Sequence, residues 1–299
     1  MAGTTSSSVQ QLYADIVADL VPYFMDAVLL PNKQIIMNSL QVAGSSGSQV
    51  RFPLTNDYVD AATVTEGASI KAQAQSNLVP TAANVTFAKR GVATDVSEES
   101  LEDGGFDLVR NAVITRLAGG LAQASDSAGL TAAKAGFTTH TDTGEGGSNA
   151  DFKVNMIMSP QGMAYASKRE PSVKTWFNPN LDSHEFRGTL RDGYAVLRAG
   201  FGQKITSHGT IGTAVANVEA IAKGVANLRS SNAPVGLDGT YIGIIDPAFE
   251  FAINKQIAGV GGSTVGSLSD LGNNALRDAS IALLAGCTLF RSNNLPDAS

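Results

Sequence analysis

The chain has 299 residues, enough for roughly two domains with buried cores. Its net charge is −6 and 16% of its residues are charged, against roughly 25% in ordinary soluble domains. The acidic balance argues against sequence-specific nucleic acid binding, which needs clustered Lys and Arg. The low charge fits either a weakly charged globular enzyme or a subunit whose surface is largely covered by neighbours.

The N-terminal residues, the apolar runs and the single cysteine indicate where in the cell we expect the protein. The N-terminal MAGTTSSSVQ lacks the basic start and apolar stretch of a secretion signal, and no apolar run approaches the ~20 residues of a membrane span. We therefore expect a soluble cytoplasmic chain. Cys287 lies in the apolar run LLAGCTLF, which predicts a buried structural thiol, and no disulfide can form within the chain.

Residues 1–44 form the first predicted unit. Apolar residues recur at helical spacing and predict an amphipathic helix over 9–21, ended by Pro22. Residues 33–40 predict a further turn or two of helix before the sequence AGSSGS. Because an amphipathic helix needs a surface to lie on, we interpret 1–44 as an arm rather than a domain core.

Residues 45–92 predict a long hairpin. Apolar residues alternate with other residues in 50–54 and again in 83–87, a pattern typical of two paired strands. The intervening residues 55–80 are polar and irregular and include Glu66 and Lys71. We expect them to form an extended tip.

A carboxylate cluster then precedes a long helix. Asp95 followed by Glu98 has the spacing of a helix N-cap with a carboxylate three residues on. Gly104 and Gly105 interrupt the pattern, and a second helix is predicted over 106–128. Its expected apolar stripe is Phe106, Val109, Val113, Leu117, Leu121, Ala124 and Ala128. The alternative, a catalytic role for Glu98, Glu99, Glu102 and Asp103, lacks a neighbouring His, Lys or Cys.

The remaining residues alternate between strand and helix patterns. Trp176 is the single tryptophan, and we expect it to be a packing anchor. The predicted strands are 152–158, one around 194–197, 241–245 and one within 281–290, and the predicted helices are one opened by Pro160, 215–228 and one from Asp246-Pro247 to 257. The class is therefore α+β with at least two lobes.

A catalytic or metal site has little support in the sequence. His140, His184 and His208 are far apart and lack the helical spacing of a hydrolytic zinc site. No G-x-S-x-G or P-loop motif occurs, and GVGG at 259–262 follows a helix rather than a strand. Lys71 is a candidate reactive amine, although an exposed solvated lysine is the simpler interpretation.

The order of these features resembles one known family. The arm, the hairpin and VTFAKRGVATDVSEESLEDGGFDLVRNAVITRLAGGLAQASDSAGL resemble the extended loop and spine helix of the Hong Kong 97-type major capsid proteins of tailed bacteriophages. LRSSNAPVGLDGTYIGIIDPAFEFAI and LAGCTLFRSNNLP resemble that family's axial domain. The resemblance implies an N-terminal arm over 1–44, an extended loop over 45–92, a peripheral domain over 93–205 with spine helix 106–128, and an axial domain over 206–299.

One segment departs from the family order. Residues 154–198 resemble the segment that in the family usually follows the Ser-Asn-Asn-Leu-Pro strand, but here they precede it. Either the axial domain has moved to the C-terminus, or 154–198 belongs to the axial domain.

The resemblance implies assembly instead of catalysis. Hexamers and pentamers of this chain would close into an icosahedral shell around a double-stranded DNA genome, without cofactor, metal, membrane or sequence-specific DNA contact. Portal and scaffolding or decoration proteins would be partners, with assembly in the host cytoplasm and a final place in the virion. The alternatives are an encapsulin-like compartment shell protein and a soluble two-domain enzyme. The expected assembly-interface residues are Leu12, Ile16, Leu20, Glu66 and Lys71, and the expected hinge residues are Gly104 and Gly105.

Overall fold

The computed structural model describes part of the chain. This part contains three β-sheets and several α-helices. The described residues are 16, 19–24, 29–30, 35–42, 47–54, 63, 65–66, 81–103, 106–140, 151–214, 218–257 and 283–298. The strands are β1 (Asn38–Gln41), β2 (Gln49–Leu54), β3 (Thr81–Thr86), β4 (Ala88–Ser97), β5 (Thr138–His140), β6 (Phe152–Met158), β7 (Met163–Asn178), β8 (Ser183–Val196), β9 (Gly202–His208), β10 (Tyr241–Ile245), β11 (Leu283–Leu284) and β12 (Cys287–Arg291). The helices are α1 (Glu98–Asp103), α2 (Phe106–Gly136), α3 (Val218–Ser230) and α4 (Pro247–Ile257). Residues 16 and 19–24, also helical, are the N-terminal helical segment.

The first sheet has four strands in the order β1-β7-β8-β4. β7 and β8 form a long antiparallel hairpin, and β4 pairs antiparallel with β8 along its whole length. The long helix α2 packs on β8 and β4. We call the sheet face against α2 the inner face and the opposite one the outer face. Because side chains alternate along a strand, the inner face is apolar and the outer face of β4 is exposed.

The second sheet has six strands in the order β11-β12-β10-β6-β9-β5. One of its faces forms a core with the apolar sides of α3 and α4. The other contacts the last turns of α2, where Leu130 and Ala133, with Phe137 directly after the helix, join Met156 and Met158 of β6. Both faces of β6 are therefore covered, which explains its nearly continuous burial. Its two edge strands are short, with three residues in β5 and two in β11.

The third sheet is the antiparallel hairpin β2–β3, paired from Gln49 with Thr86 to Leu54 with Thr81. Its apolar side chains Val85 and Phe87 lie on Ala164 and Ala166 of the four-stranded sheet. These pairings confirm the predicted strands on either side of the irregular residues 55–80.

Several sequence predictions hold, and others are wrong for identifiable reasons. The strands over 152–158 and 241–245 and the helix from Pro247 are confirmed, whereas α2 continues to Gly136 instead of ending at residue 128. Residues 38–41 form a strand, not a helix, because they pair in parallel with β7. Pro160 opens no helix, because the residues after it pair with β8.

Two local predictions are corrected as well. Asp95 does not cap α1, because β4 continues to Ser97, whose Oγ accepts the backbone N–H of Ser100 at 3.2 Å. Trp176 is no buried anchor: 45% of it is exposed, and the Arg187 guanidinium lies 3.5 Å from its ring centre.

The sheet boundaries differ from the predicted domain boundaries. β5, β6 and β9 lie in the same sheet as 241–291, and the boundary at 205/206 falls inside β9. The segment 154–198 is divided, with β6 in the six-stranded sheet and β7 and β8 in the four-stranded sheet. The assignment of peripheral and axial domains stays a prediction.

Candidate assembly surfaces

The N-terminal helical segment lies on α2. Ile16, Leu20 and Phe24 are almost completely buried there, in a cluster with Val113 and Leu117 of α2. Asp19 and Arg110 form an ion pair at the same place. The segment continues through Pro22, so Pro22 does not end it as predicted.

This burial bears on two predicted assembly residues. Ile16 and Leu20 have no exposed surface within a single chain, because α2 and its neighbours already cover them. They contribute apolar burial to the subunit itself, and their role in assembly stays a prediction.

A carboxylate on α2 binds the chain that follows this segment. Asp126 Oδ2 accepts the backbone N–H of Leu29 at 2.9 Å, and Oδ1 accepts that of Leu30 at 3.1 Å. Burial raises the pKa of Asp126 from 3.8 to about 6, although the two backbone donors act in the opposite direction. Asp126 therefore holds residues 29 and 30 against α2.

A second buried carboxylate connects α2 to the sheet. Asp192 of β8 is fully buried and forms an ion pair with Arg90 of β4, with Nε 2.6 Å from Oδ1. Ser125 of α2 donates to Asp192 Oδ2, so the hydroxyl of Tyr194, 2.7 Å from Ser125 Oγ, is the donor in that second bond. Burial, with Asp192 nearby, raises the pKa of Tyr194 well above its usual value.

A glycine allows Leu30 and Tyr194 to approach α2 closely. A Cβ at Gly129 would collide with Leu30 and touch the ring of Tyr194. The predicted apolar stripe is correct from Val109 to Leu121 but wrong at Ala124, which is exposed. Between Ala122 and Leu130 the buried positions hold Ser125, Asp126 and Gly129, because the helix meets polar groups and the arm here.

The hairpin β2–β3 lies directly on the outer face. The backbone carbonyl of Thr86 approaches Gly193 so closely that a Cβ on Gly193 would collide with it. Lys168 donates to the carbonyl of Gly47 and lies 5.7 Å from the ring centre of Phe87. The base of the hairpin is thus fixed to its own subunit.

Exposed apolar side chains mark a surface at the end of the β7–β8 hairpin. Leu181 at the turn and Leu108 of α2 line an open groove of about 920 Å³ with α1 and the end of β4. Leu108 is 68% exposed and Leu181 64%, and Phe177 is also exposed beside them in the hairpin. Other exposed apolar residues are Ile211, Val235, Leu237, Phe251 and Leu283. Exposed apolar patches of this kind are typical of protein–protein contacts.

The other predicted site residues are only partly described. Glu66 is exposed in a turn. Leu12, Lys71, Gly104 and Gly105 lie outside the described residues. Cys287 is buried, and burial raises the pKa of its thiol to about 12, which confirms the structural interpretation.

The described residues offer no metal cluster and no membrane span. No three His, Cys, Asp or Glu side chains of the described ranges lie close enough to hold an ion. None of the helices in these ranges has the length and apolar composition needed to cross a bilayer.

Sequence reasoning missed Asp126, Asp192 and Arg90. Asp126 was detectable in principle, since it continues the apolar spacing of α2 four residues after Ala122. Asp192 and Arg90 are 102 residues apart and meet through strand pairing, which no local pattern indicates.

Comparisons with known proteins support one fold. No protein-family model and no curated protein sequence matches the chain. The subunit of the procapsid of bacteriophage JBD30 is similar in structure, with a TM-score of 0.51 and 13% identity over 97% of this chain and 100% of that chain. The capsid of the same phage gives a TM-score of 0.51 and 11% identity over 86% of this chain and 89% of that chain. The chain has the Hong Kong 97-type capsid fold. At such low identity the likeness concerns the fold alone.

The capsid fold gives a context for the contacts described above. The predicted class, α+β with this fold, is confirmed. The arm and the hairpin base, which the sequence predicts to lie outside a domain core, are bound to the four-stranded sheet and α2 of their own subunit.

Proposed function

We propose that this chain is the major capsid protein of a tailed bacteriophage and assembles as hexamers and pentamers into an icosahedral shell around double-stranded DNA. The observation that carries the proposal is the likeness to the JBD30 procapsid subunit, which extends over 97% of this chain. A likeness over nearly the whole length leaves little chain for an added catalytic domain.

The buried ionisable groups support a structural role. Asp126 binds backbone N–H groups of the arm, Asp192 binds Arg90 and Ser125, and Asp246 accepts the N–H of Ala248 at the start of α4. Burial raises the pKa of Asp246. Perturbed pKa values also occur in structural networks. Asp126 and Asp192 each join two elements of the fold and Asp246 caps a helix, so we infer a structural protein rather than an enzyme.

The partners follow from shell assembly. We infer a homo-oligomer that encloses DNA without sequence-specific contacts, joined by a portal and by scaffolding or decoration proteins, assembled in the host cytoplasm and retained in the virion. The acidic net charge of −6 limits adhesion to the packaged genome. Gly104 and Gly105, just before α2, remain our candidates for a hinge during maturation.

Electron microscopy and gel filtration of the expressed chain, alone and with candidate scaffold, test the proposal. We expect closed shells, and particles from the natural host that protect DNA from nuclease. Shells that enclose an enzyme and no DNA would support the encapsulin-like alternative. A small oligomer under every condition would support the two-domain enzyme.

A further inference from the structure

The outer face of the four-stranded sheet has rows of like charge. Lys89 of β4 lies directly opposite Arg191 of β8, which lies directly opposite Arg169 of β7. Four residues away along β8, Arg187 lies opposite Lys174. Directly opposite residues of antiparallel strands have Cβ atoms about 4.5–5.5 Å apart, where like charges repel. This part of the face, the basic rows, is therefore unfavourable for the isolated subunit.

Among the described residues, carboxylates of the same chain form few ion pairs with the basic rows. Glu185 is 2.5 Å from Arg187. Among the ion pairs of the described residues, none involves Lys89, Arg169, Lys174 or Arg191. Lys89, Arg169 and Lys174 are exposed.

The other end of the same strand is acidic. Asp95 of β4 faces outward opposite Glu185, and Glu99 and Asp103 of α1 are exposed beside it. No basic residue follows in the last turn of α1. We call Asp95, Glu99 and Asp103 the acidic end.

The acidic end lies too far from the Lys89–Arg191–Arg169 row of its own chain to neutralise it, whereas Arg187 of the second row is opposite Ala93, two residues from Asp95. Lys89 and Asp95 are six residues apart on one continuous strand, about 20 Å at ~3.3 Å per residue. This separation exceeds the Debye length of about 8 Å at physiological salt. The acidic end of another copy of the chain can supply the opposite charge to that row.

We infer that the outer face is an interface between copies of this chain, in which the acidic end of one copy lies against the basic rows of the next. The contact is head-to-tail, because the two charged ends of one face differ. A head-to-tail contact closes into rings when its rotation permits, as hexamers and pentamers require. The inference rests on the proposed shell assembly and identifies the surface through which copies of the chain bind one another.

Charge reversal of three exposed residues tests this interface. Lys89→Glu, Arg169→Glu and Lys174→Glu together place carboxylates opposite Arg191 and Arg187, so the isolated subunit should melt at the same temperature as the parent or higher. We expect this variant to form no shells, because the acidic end of the next copy now meets carboxylates.

A second charge reversal should restore assembly. Asp95→Lys, Glu99→Lys and Asp103→Lys alone should also abolish shells. Both sets combined in one chain recreate complementary ends with exchanged signs, and we expect shells to return. A matched control, Lys223→Glu, Arg229→Glu and Lys255→Glu on α3 and α4, changes the net charge as much as the first variant and should assemble like the parent.

Each other outcome contradicts the inference. Shells from the first variant, no shells from the combined variant, or failure of the control would overturn it. Shells of the first variant that only lose protected DNA would assign the basic rows to nucleic acid. If the parent chain itself forms no shells, the proposed function fails, whereas shells from both the parent and the first variant refute the interface alone.

Discussion

The two faces of the four-stranded sheet come from the same strands but have opposite character. On the inner face, Val92, Phe186 and Leu190 pack with α2. On the outer face, Lys89 and Arg187 are exposed to solvent beside the hairpin. Alternation along β4 and β8 separates the two sets. The contrast indicates that the inner face stabilises the subunit while the outer face remains available for contacts, so substitutions on the two faces should have separable effects.

The largest expected difference is between two aromatic residues on opposite faces. Phe186 is fully buried against α2, and Phe186→Ala should lower the free energy of unfolding by about 3–5 kcal/mol because it leaves a cavity. Trp176→Ala, on the outer face, should lower it by less than about 1 kcal/mol. Urea unfolding of dissociated subunits measures both values. Equal losses would break the distinction between the faces.

A second substitution extends the comparison to the arm. Leu20 is fully buried in the cluster with α2, so Leu20→Ala should lower the free energy of unfolding of the isolated subunit by about 2–5 kcal/mol. An unchanged unfolding midpoint together with lost shells would instead assign Leu20 to assembly, as the sequence alone predicts.

The pH dependence of stability should show the buried carboxylate that holds the arm. Because the pKa of Asp126 is about 6 in the folded chain and 3.8 without burial, the folded state binds an extra proton between these values. Asp126 therefore raises the free energy of unfolding as pH falls from 6 to 4 and lowers it as pH rises. The total change is about 3 kcal/mol.

Asp126→Asn tests this pH dependence, since an amide does not titrate. The free energy of unfolding of the parent, relative to that of the variant, should rise between pH 7 and pH 4. Burial also raises the pKa of Asp246 and Glu250, but both proteins contain them and their effects cancel in the comparison. Parallel curves for the two proteins would be the contrary result.

The smallest expected effect concerns the part of the outer face under the hairpin. Gly193→Ala forces a Cβ against the carbonyl of Thr86, so β3 must move, at a loss of about 1–3 kcal/mol. Amide hydrogen exchange should accelerate in β2 and β3. Gly91→Ala on the same face is the matched control, because its Cβ meets the nearest atom, the Gly188 carbonyl oxygen, at 3.5 Å. Equal exchange in both variants would mean that the hairpin does not depend on Gly193.

Local periodicity explains which elements the sequence predicts. β2, β3, β6 and α3 have one clear period each, and their predicted positions agree with the structure. β7 escapes prediction because MAYASKREPSVKTWFN mixes small, charged and apolar residues and contains Pro171. Its strand conformation depends on pairing with β8 and β1, which lie elsewhere in the chain.

Strand pairing also explains what the sequence cannot reveal about the candidate surfaces. Lys89, Arg169 and Arg191 are scattered along the chain, and only the register brings them into one row. The net charge of the chain does not reveal this basic row, because acidic residues elsewhere outnumber the basic ones. Composition therefore gives only the average charge of the surface and does not show a local concentration of positive charge.

The short edge strands of the six-stranded sheet have a consequence for synthesis at high concentration. With three residues in β5 and two in β11, each edge offers few free backbone groups on which another chain could add a strand. At the two described edges of this sheet, newly made copies crowded in one compartment thus have little opportunity to join into amyloid-like aggregates.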